Sequence, residues 1–161
     1  MPRRLSDAQV AATYGNPEQF LGLDGTVNER GWKTAILGGF QLPSPLKLSW
    51  GSAYASRVSC HRAVELELAE IFAEIFANKE AWDSIGTYGG CYMFRQNRNN
   101  HKALSRHCWG LAIDIDVLDN QNGDSTPEMH PAIVEAFERR GWVWGAHFPT
   151  PDPMHFEKGT V

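Results

Sequence analysis

Seven consecutive residues in the second half of the chain alternate strictly between two kinds of side chain. Successive side chains of a β-strand point to opposite faces, so the large apolar members of this segment would share one face. These residues are Leu111, Ile113, Ile115 and Val117. The opposite face would carry Ala112, Asp114 and Asp116. The pattern therefore predicts a strand that packs one face against a core and presents carboxylates on the other.

Two further segments have helical periodicity. Apolar residues recur at helical spacing over 60–79, which predicts an amphipathic helix with Ser59 as its N-cap. A shorter helix is predicted over Pro131–Arg140, between a proline in its first turn and a glycine just past its last. Short aromatic or apolar runs predict further strands at 92–95, 142–144 and 155–157.

Glycine, proline and asparagine interrupt every periodic pattern at the start of the chain, which predicts a loop-rich N-terminal segment over about 1–55. A length of 161 residues fits one domain, so we expect a single domain over 1–161. Helices and strands occur in mixed order with short connections. The expected fold is therefore α+β, with a small antiparallel central sheet flanked by helices.

The composition argues against several classes of protein. Hydrophobic residues make up 42% of the chain, which excludes a disordered or fibrous protein. A formal net charge of -4 gives no positive field, so we expect no nucleic-acid partner. The apolar runs are too short to cross a bilayer, so we expect no membrane insertion. We also expect a monomer.

The cysteines and the N-terminus bear on the cellular compartment. Cys60, Cys91 and Cys108 lack the spacing of a disulfide scaffold or a thiolate zinc finger, so we expect them to be reduced and partly buried. Acidic and polar residues follow Met1-Pro2-Arg3-Arg4 where a secretory signal would be apolar. We therefore expect synthesis in the cytoplasm without a signal peptide.

Two histidines and one aspartate form a candidate metal site. His107 precedes the Gly110 turn, Asp114 lies on the polar face of the following strand, and His155 would come from a neighbouring strand. Imidazole nitrogens and one carboxylate oxygen are the ligands that bind a catalytic Zn²⁺ and leave a fourth position for water. The sequence therefore predicts a Zn²⁺ cofactor suited to metal-assisted hydrolysis.

Two more residues have candidate catalytic roles. Asp152 lies three residues before His155, close enough to act as a general base without being a ligand. Arg95 could place a positive charge where an oxyanion develops, although it could equally pair with a carboxylate at the surface.

Several alternatives remain open at this point. Asp116 shares a face with Asp114 and could replace it as a ligand. Ser105 could orient His107, line the substrate site or be a turn hydroxyl. Cys108 is expected to pack in the core although it is adjacent to a ligand.

The aromatic residues and the remaining histidines are assigned separately. Trp144 is the best candidate of three tryptophans to line a substrate cleft, although all three could simply fill the core. The others are Trp109 and Trp142. Four histidines have no partner at ligand spacing and are left outside the site: His61, His101, His130 and His147.

These motifs resemble a known family. The pattern Ser105-x-His107-x-x-Gly110-x-Ala112-x-Asp114, followed by Asp152-x-x-His155, is similar to zinc peptidases that cut bacterial cell-wall peptides containing D-amino acids. The group includes VanY-like D-alanyl-D-alanine carboxypeptidases, D-alanyl-D-alanine dipeptidases and phage L-alanyl-D-glutamate endopeptidases. The resemblance extends to 88–95 and 141–145, and so covers roughly the C-terminal half of the chain.

The resemblance implies a role for each matching residue. His107, Asp114 and His155 match zinc ligands, Asp152 matches the catalytic carboxylate, and Arg95 matches an arginine that supports the transition state. Many relatives have Glu in place of Asp152. Phage endopeptidases also use Asp there, so this departure favours their branch.

The resemblance therefore implies a zinc peptidase that hydrolyses a bond in the peptidoglycan stem peptide, most closely a phage endolysin L-alanyl-D-glutamate endopeptidase. Such an enzyme is stored in the cytoplasm and acts on the wall after release at lysis. A D-alanyl-D-alanine carboxypeptidase or dipeptidase is the alternative with the same chemistry. A third alternative is a non-catalytic zinc-binding module, because the same fold occurs in hedgehog signalling domains.

Overall fold

The computed structural model describes residues 1–95 and 103–160, in which helices and antiparallel strands alternate along the chain. The helices are α1 (Asp7–Tyr14), α2 (Glu29–Ile36), α3 (Glu65–Ala77), α4 (Lys79–Ser84) and α5 (Pro131–Glu138). The strands are β1 (Arg3–Arg4), β2 (Leu37–Lys47), β3 (Tyr54–His61), β4 (Tyr88–Gly90), β5 (Ala112–Ile115), β6 (Trp142–Trp144) and β7 (His155–Thr160). This mixture confirms the expected α+β class.

The central sheet is built around β7. This strand pairs antiparallel with β1, β5 and β6, and β5 also pairs antiparallel with β4. The register places Asp114 of β5 directly opposite His155 of β7. Side chains at directly opposed positions lie close together, so the sheet itself brings these two residues into contact. The strand predicted from the alternating residues is therefore confirmed, as the shorter β5.

The predicted long helix is confirmed as α3, with a different start. Its buried face packs Leu68, Ile71, Phe72 and Ile75 into the core. Ser59 is not its N-cap, because Ser59 pairs with Gly39 inside the β2–β3 hairpin. A short 3-10 turn precedes α3 instead, and the His61 side chain caps it by accepting from the backbone N–H of Ala63.

The prediction of a loop-rich N-terminal segment over 1–55 is wrong in its detail, because this segment contains α1, α2 and the eleven-residue β2. Ser6 and Gln9 form a reciprocal capping box that starts α1. Pro43 and Pro45 fall where the β2–β3 register shifts between Gln41 and Leu46. Proline is tolerated at such an irregularity because no ladder hydrogen bond is required there.

The strand predicted at 92–95 is also wrong, since the strand in this region is β4 at Tyr88–Gly90. Tyr92 and Met93 instead donate their backbone N–H groups to Ser59 and to His107. The helix predicted at Pro131–Arg140 is confirmed as α5, with His130 as its N-cap. The strands predicted at 142–144 and 155–157 are confirmed as β6 and as the first half of β7.

Two further expectations concern the core and the membrane. The three cysteines are free, as predicted, and they are buried more completely than predicted: Cys60, Cys91 and Cys108. Among the described residues, no helix combines the length and the apolar composition that a membrane span requires.

Candidate metal centre

Three separate elements bring the predicted ligands together. His107 lies in a 3-10 turn at Arg106–Trp109, Asp114 in β5, and His155 at the first position of β7. One nitrogen from each imidazole and one carboxylate oxygen lie within 4.8 Å of one another. The three residues are buried, with exposures of 0%, 3% and 7%. The cluster could therefore bind a metal ion, as the spacing of these residues predicted.

A backbone carbonyl orients His107. Its Nδ1 lies 2.7 Å from the carbonyl oxygen of Cys91, which can only accept a hydrogen bond. Nδ1 therefore donates this hydrogen bond, which leaves Nε2 as the nitrogen that can bind a metal. Nε2 is 3.2 Å from Oδ1 of Asp114, so this nitrogen is directed into the cluster.

The turn that presents His107 depends on the residues at its two ends. The Ser105 hydroxyl accepts from the backbone N–H of His107 at 3.3 Å and caps the 3-10 turn. Gly110 ends the turn in the left-handed conformation, with φ of 66°. A Cβ at this position would lie 2.6 Å from the backbone nitrogen of His61, so only glycine fits. Ser105 thus orients the ligand turn, one of the roles considered for it.

His155 uses both of its ring nitrogens. Nδ1 lies 3.0 Å from Oδ1 of Asp114, and Nε2 lies 3.1 Å from Oε2 of Glu157. Nδ1 is thus the nitrogen that faces the cluster, and Nε2 faces a carboxylate outside it. A ligand histidine whose second nitrogen donates to a carboxylate has a fixed orientation and greater basicity. His155 could therefore present Nδ1 to a metal ion in a fixed orientation.

The charges of the cluster support one another. Burial alone would raise the pKa of Asp114, but the charges and hydrogen bonds of His107 and His155 hold it well below its usual range. Burial alone would lower the pKa of His155, whereas hydrogen bonds to Asp114 and Glu157 raise it to about 10. Burial likewise opposes ionisation of Glu157, but His155 and Arg4 lower its pKa to about 2. Asp114 and Glu157 are therefore ionised at neutral pH, and the His155 imidazole lies between them.

The alternative ligand, Asp116, lies outside the cluster. Its two carboxylate oxygens accept from the backbone N–H of Gly86 at 3.2 Å and from the Asn120 amide at 3.1 Å. Asp116 also has a positive φ of 50°, so the strand pattern ends before it. The structure thus distinguishes between the two aspartates that share a face in the sequence, and Asp114 is the one that meets the histidines.

A cleft of about 680 Å³ lies beside the cluster. Its walls include His155 together with three of the predicted site residues, namely Arg95, Ser105 and Asp152. Arg95 lies after β4 rather than on a strand, which corrects the predicted placement. The cleft therefore brings both candidate catalytic side chains to the space next to a ligand.

A tight turn places Asp152 next to His155. The carbonyl of Asp152 accepts from the backbone N–H of His155 at 3.0 Å, and its own N–H donates to Gly145 at 2.9 Å. One carboxylate oxygen of Asp152, Oδ1, is buried and has no hydrogen-bond partner among the described residues. A buried acceptor of this kind is costly to leave unpaired, so it is suited to accept a proton from a molecule bound in the cleft.

Trp144 lies elsewhere than predicted. It lines a separate shallow groove with Met129, Pro131 and Val134 of the α5 region, and it is not among the described residues that line the cleft. Its indole N–H donates to the carbonyl of Pro153 at 2.7 Å, and its ring stacks on Phe156 of β7. Phe156 points to the face of the sheet opposite His155, so this position does not support the prediction that Trp144 lines a substrate cleft.

The remaining tryptophans, Cys108 and the other histidines have structural roles. Trp109 and Trp142 are buried in the core, and the Cys108 thiol bonds to the backbone of Arg95. His61 and His130 cap helical turns, and His147 lies 3.5 Å from Glu138. His101 lies outside the described residues.

Two residues of the site were not identified from the sequence. Glu157 follows His155 by two positions on the same strand, so its place on the same face could have been found from strand periodicity. Arg4 pairs with Glu157 from the other end of the chain, with 2.7 Å between Nε and Oε1. No local pattern could have found Arg4, because its position depends on the pairing of β1 with β7.

Part of the chain is similar to a known protein family. No curated protein and no solved structure matches the chain. One family model matches residues 98–158, a segment that contains the three clustered residues and Asp152. Over residues 98–158, therefore, the chain is similar to the family described as D-alanyl-D-alanine carboxypeptidase.

Proposed function

We propose that the chain is a zinc-dependent peptidase that hydrolyses a peptide bond in the bacterial peptidoglycan stem. The observation that carries this proposal is the buried cluster of His107, Asp114 and His155 next to a cleft that also contains Asp152. The matching family supports a peptidase that acts on cell-wall peptides. Two imidazoles and one carboxylate are a donor set that fits Zn²⁺ and leaves a position open for catalysis.

Each residue of the cleft has a separate role in the proposed reaction. When bound, zinc supplies Lewis acidity, which polarises a carbonyl and lowers the pKa of water. Asp152 accepts a proton from the attacking water and then donates it to the departing amine as the carbon–nitrogen bond breaks. Arg95 places its positive charge beside the oxyanion that develops on the former carbonyl oxygen. His107, Asp114 and His155 would hold the ion and would take no part in proton transfer.

For the scissile bond, we propose the L-alanyl-D-glutamate linkage, as in phage endolysins. Asp at position 152, where many relatives have Glu, supports this branch. The alternative is removal of terminal D-alanine, because the matching family is described as D-alanyl-D-alanine carboxypeptidase. A wall-directed enzyme made in the cytoplasm must also be released across the membrane before it meets its substrate, and we propose release at lysis.

Mass spectrometry of purified peptidoglycan, digested by the zinc-loaded protein with and without a chelator, tests these proposals. Peptides that begin with D-glutamate, formed only when zinc is present, would support the endopeptidase. Loss of one D-alanine or of a D-alanyl-D-alanine pair would assign the carboxypeptidase or dipeptidase activity instead. Stoichiometric zinc without any cleavage would indicate a non-catalytic zinc module and would overturn the proposed reaction.

A test of release uses the protein in living cells. Production in the bacterial cytoplasm alone should leave the cells intact, whereas permeabilising the inner membrane should cause rapid lysis. Lysis is followed as loss of turbidity. The Asp152→Asn variant, produced to the same level, is the control and should not lyse permeabilised cells.

A further inference from the structure

The N-terminal strand β1 is connected to the cluster of His107, Asp114 and His155 through one buried carboxylate, that of Glu157. Glu157 is 1% exposed and faces Nε2 of His155 at 3.1 Å, and Arg4 binds its other oxygen, with 2.7 Å between Nε and Oε1. We propose that Arg4, acting through Glu157, positions His155 so that Nδ1 is presented to the metal, which makes β1 part of the metal centre. This inference rests on the proposed function in one respect, namely that the cluster binds a metal ion.

Strand geometry explains how Glu157 reaches His155. The two residues are two positions apart in β7, so their side chains lie on the same face of the sheet. Asp114 faces His155 from the neighbouring strand and approaches the other ring nitrogen. The imidazole is thus held between two carboxylates, and any rotation of the ring would break a hydrogen bond on each side. Fixing the ring in this way determines which nitrogen can bind the metal.

Three contacts fix the Arg4 guanidinium. Backbone pairing of β1 with β7 places Arg4 opposite Gly159. The guanidinium then lies over the Phe148 ring, 4.0 Å from its centroid. Nε and Nη2 approach separate oxygens of Glu157, at 2.7 and 3.4 Å. A planar guanidinium that engages both oxygens restricts rotation of the carboxylate as well as balancing its charge.

Arg4 also supplies a charge that Glu157 needs. Within the part of the chain that the structure describes, the ion pairs of Glu157 are those with Arg4 and His155. Without Arg4, the buried carboxylate would keep His155 as its ion-pair partner but would lose the two donors that restrict its rotation. His155 would then be held less firmly against Asp114. Arg4 is accordingly a positioning residue, since it acts on the ligand through Glu157.

Zinc affinity of the full-length protein tests this inference, measured by competition with a chromophoric chelator. Loss of a group that orients a metal ligand typically weakens metal binding about 10- to 100-fold, and we expect Arg4→Met to fall in this range. Arg4→Lys keeps the charge but not the planar pair of donors, and should recover part of the loss. Arg3→Met is the matched control, because Arg3 is the adjacent residue of β1 with its side chain on the opposite face, and it should bind zinc within twofold of wild type.

A spectroscopic measurement separates positioning from general stability. In the zinc-loaded wild type, ¹⁵N chemical shifts of the His155 ring should identify Nδ1 as the metal-bound nitrogen and Nε2 as protonated. Arg4→Met should broaden or shift these resonances even if its metal-free form melts at the wild-type temperature. Unchanged zinc affinity and unchanged His155 shifts in Arg4→Met would overturn the inference and leave the peptidase proposal intact. Failure of the wild type to bind zinc would overturn both.

Discussion

Asp152 combines two properties that seldom occur in one side chain of a folded protein. It lies at the wall of an open cleft, and its Oδ1 is buried with no hydrogen-bond partner among the described residues. Natural proteins rarely leave a buried acceptor unsatisfied, and such an atom calls for an explanation in function. In the proposed reaction, the water that attacks the substrate becomes the hydrogen-bond partner of this oxygen.

The Asp152→Asn variant tests the role of this carboxylate. An amide has nearly the same shape but cannot accept and return a proton, so kcat should fall by about 10²- to 10⁴-fold. Zinc content should stay at one equivalent, because Asp152 is not a member of the ligand cluster. Steady-state kinetics with a stem peptide and metal analysis of the same preparation provide the two measurements. Full activity in this variant would remove Asp152 from the mechanism.

A matched pair of substitutions tests the choice of ligand. Asp114 and Asp116 are two residues apart, yet only the former faces the histidines within the described structure. Asp114→Asn removes a charged ligand and should weaken zinc binding by more than about 100-fold. This loss exceeds the usual effect of changing a residue that only hydrogen-bonds to a ligand. Asp116→Asn makes the same chemical change and should retain the metal. Equal losses in the two variants would contradict the assignment.

At the scale of elements, the ligand geometry comes from pairing between strands and from one capped turn. Asp114 and His155 are cross-strand partners of β5 and β7, so the two strands cannot slip in register without separating the ligands. His107 is attached to this sheet through the Ser105 cap and the Gly110 turn. Helices α3 and α5 contribute buried residues to the core. Glu74 of α3 forms an ion cluster with Arg139 and Arg140, which follow α5.

That ion cluster leads to a prediction of pH dependence. Hydrogen bonds from Arg139 and Arg140 hold the pKa of Glu74 below its ordinary value of 4.5. A depressed carboxyl pKa contributes stability that is present above the unfolded pKa and is lost as the pH falls through the folded pKa. Glu74 is partly exposed, so solvent screening limits the contribution to about 1 kcal/mol or less.

The Glu74→Gln variant should therefore be less stable than wild type at pH 7, and the difference should vanish as the pH is lowered through the folded pKa. Urea unfolding at a series of pH values measures this difference. Glu70→Gln, one turn earlier on the exposed surface of α3, is the control and should change stability little at any pH. A difference that grows on acidification would contradict the sign of the proposed contribution.

At the scale of the whole molecule, a bound ion would join segments that are far apart in the chain. The clustered residues are at positions 107, 114 and 155, and all three are buried. Two of them lie on strands β5 and β7 of the central sheet, and the third lies in the 3-10 turn before β5. A ligand that binds the folded state alone stabilises it by about 2.7 kcal/mol when present at 100 times its dissociation constant. The metal should thus stabilise the fold as well as supply chemistry.

Chelation should lower the melting temperature measurably. For a domain of this size, each kcal/mol corresponds to about 2–4 °C, so removal of zinc should lower Tm by about 5–10 °C. Differential scanning fluorimetry with and without a chelator, followed by addition of excess zinc, measures the shift and its reversal. The Asp114→Asn variant should show no shift, since it cannot bind the ion tightly. A wild-type Tm that is insensitive to chelator would contradict metal binding at this cluster.

The sequence predicted those parts of the molecule whose signals are local. The alternation at 111–117 located β5, and the helical spacing at 60–79 located α3, because each pattern reflects burial of one face of the element itself. The sequence also predicted that His107, Asp114 and His155 form a group that could bind a metal ion, because two imidazoles and one carboxylate are a common set of zinc ligands. The long strand β2 was missed, because its prolines fit only through an irregular pairing with β3.

Other features depend on contacts that no local pattern records. Arg4 reaches Glu157 across 153 positions of the chain, and the hydrogen bond from Trp144 to Pro153 depends on the fold of the turn before β7. The absence of a hydrogen-bond partner for Oδ1 of Asp152 among the described residues likewise results from packing, not from the spacing of residues in the sequence. Such features depend on the three-dimensional structure. For this reason the sequence predicted some residues that line the cleft, such as Asp152, but not others, such as Arg4.

The pairing of β1 with the end of β7 has a topological consequence. Arg3 lies directly opposite Thr160, and paired strands bring Cα atoms to about 5 Å. A linker of a few residues would therefore close the backbone into a ring, and the chain could be reopened at the exposed turn around Gly51. In such a circular permutant, His155, Glu157 and Arg4 would follow one another along a single continuous stretch, so the contacts proposed to orient His155 would become local in sequence.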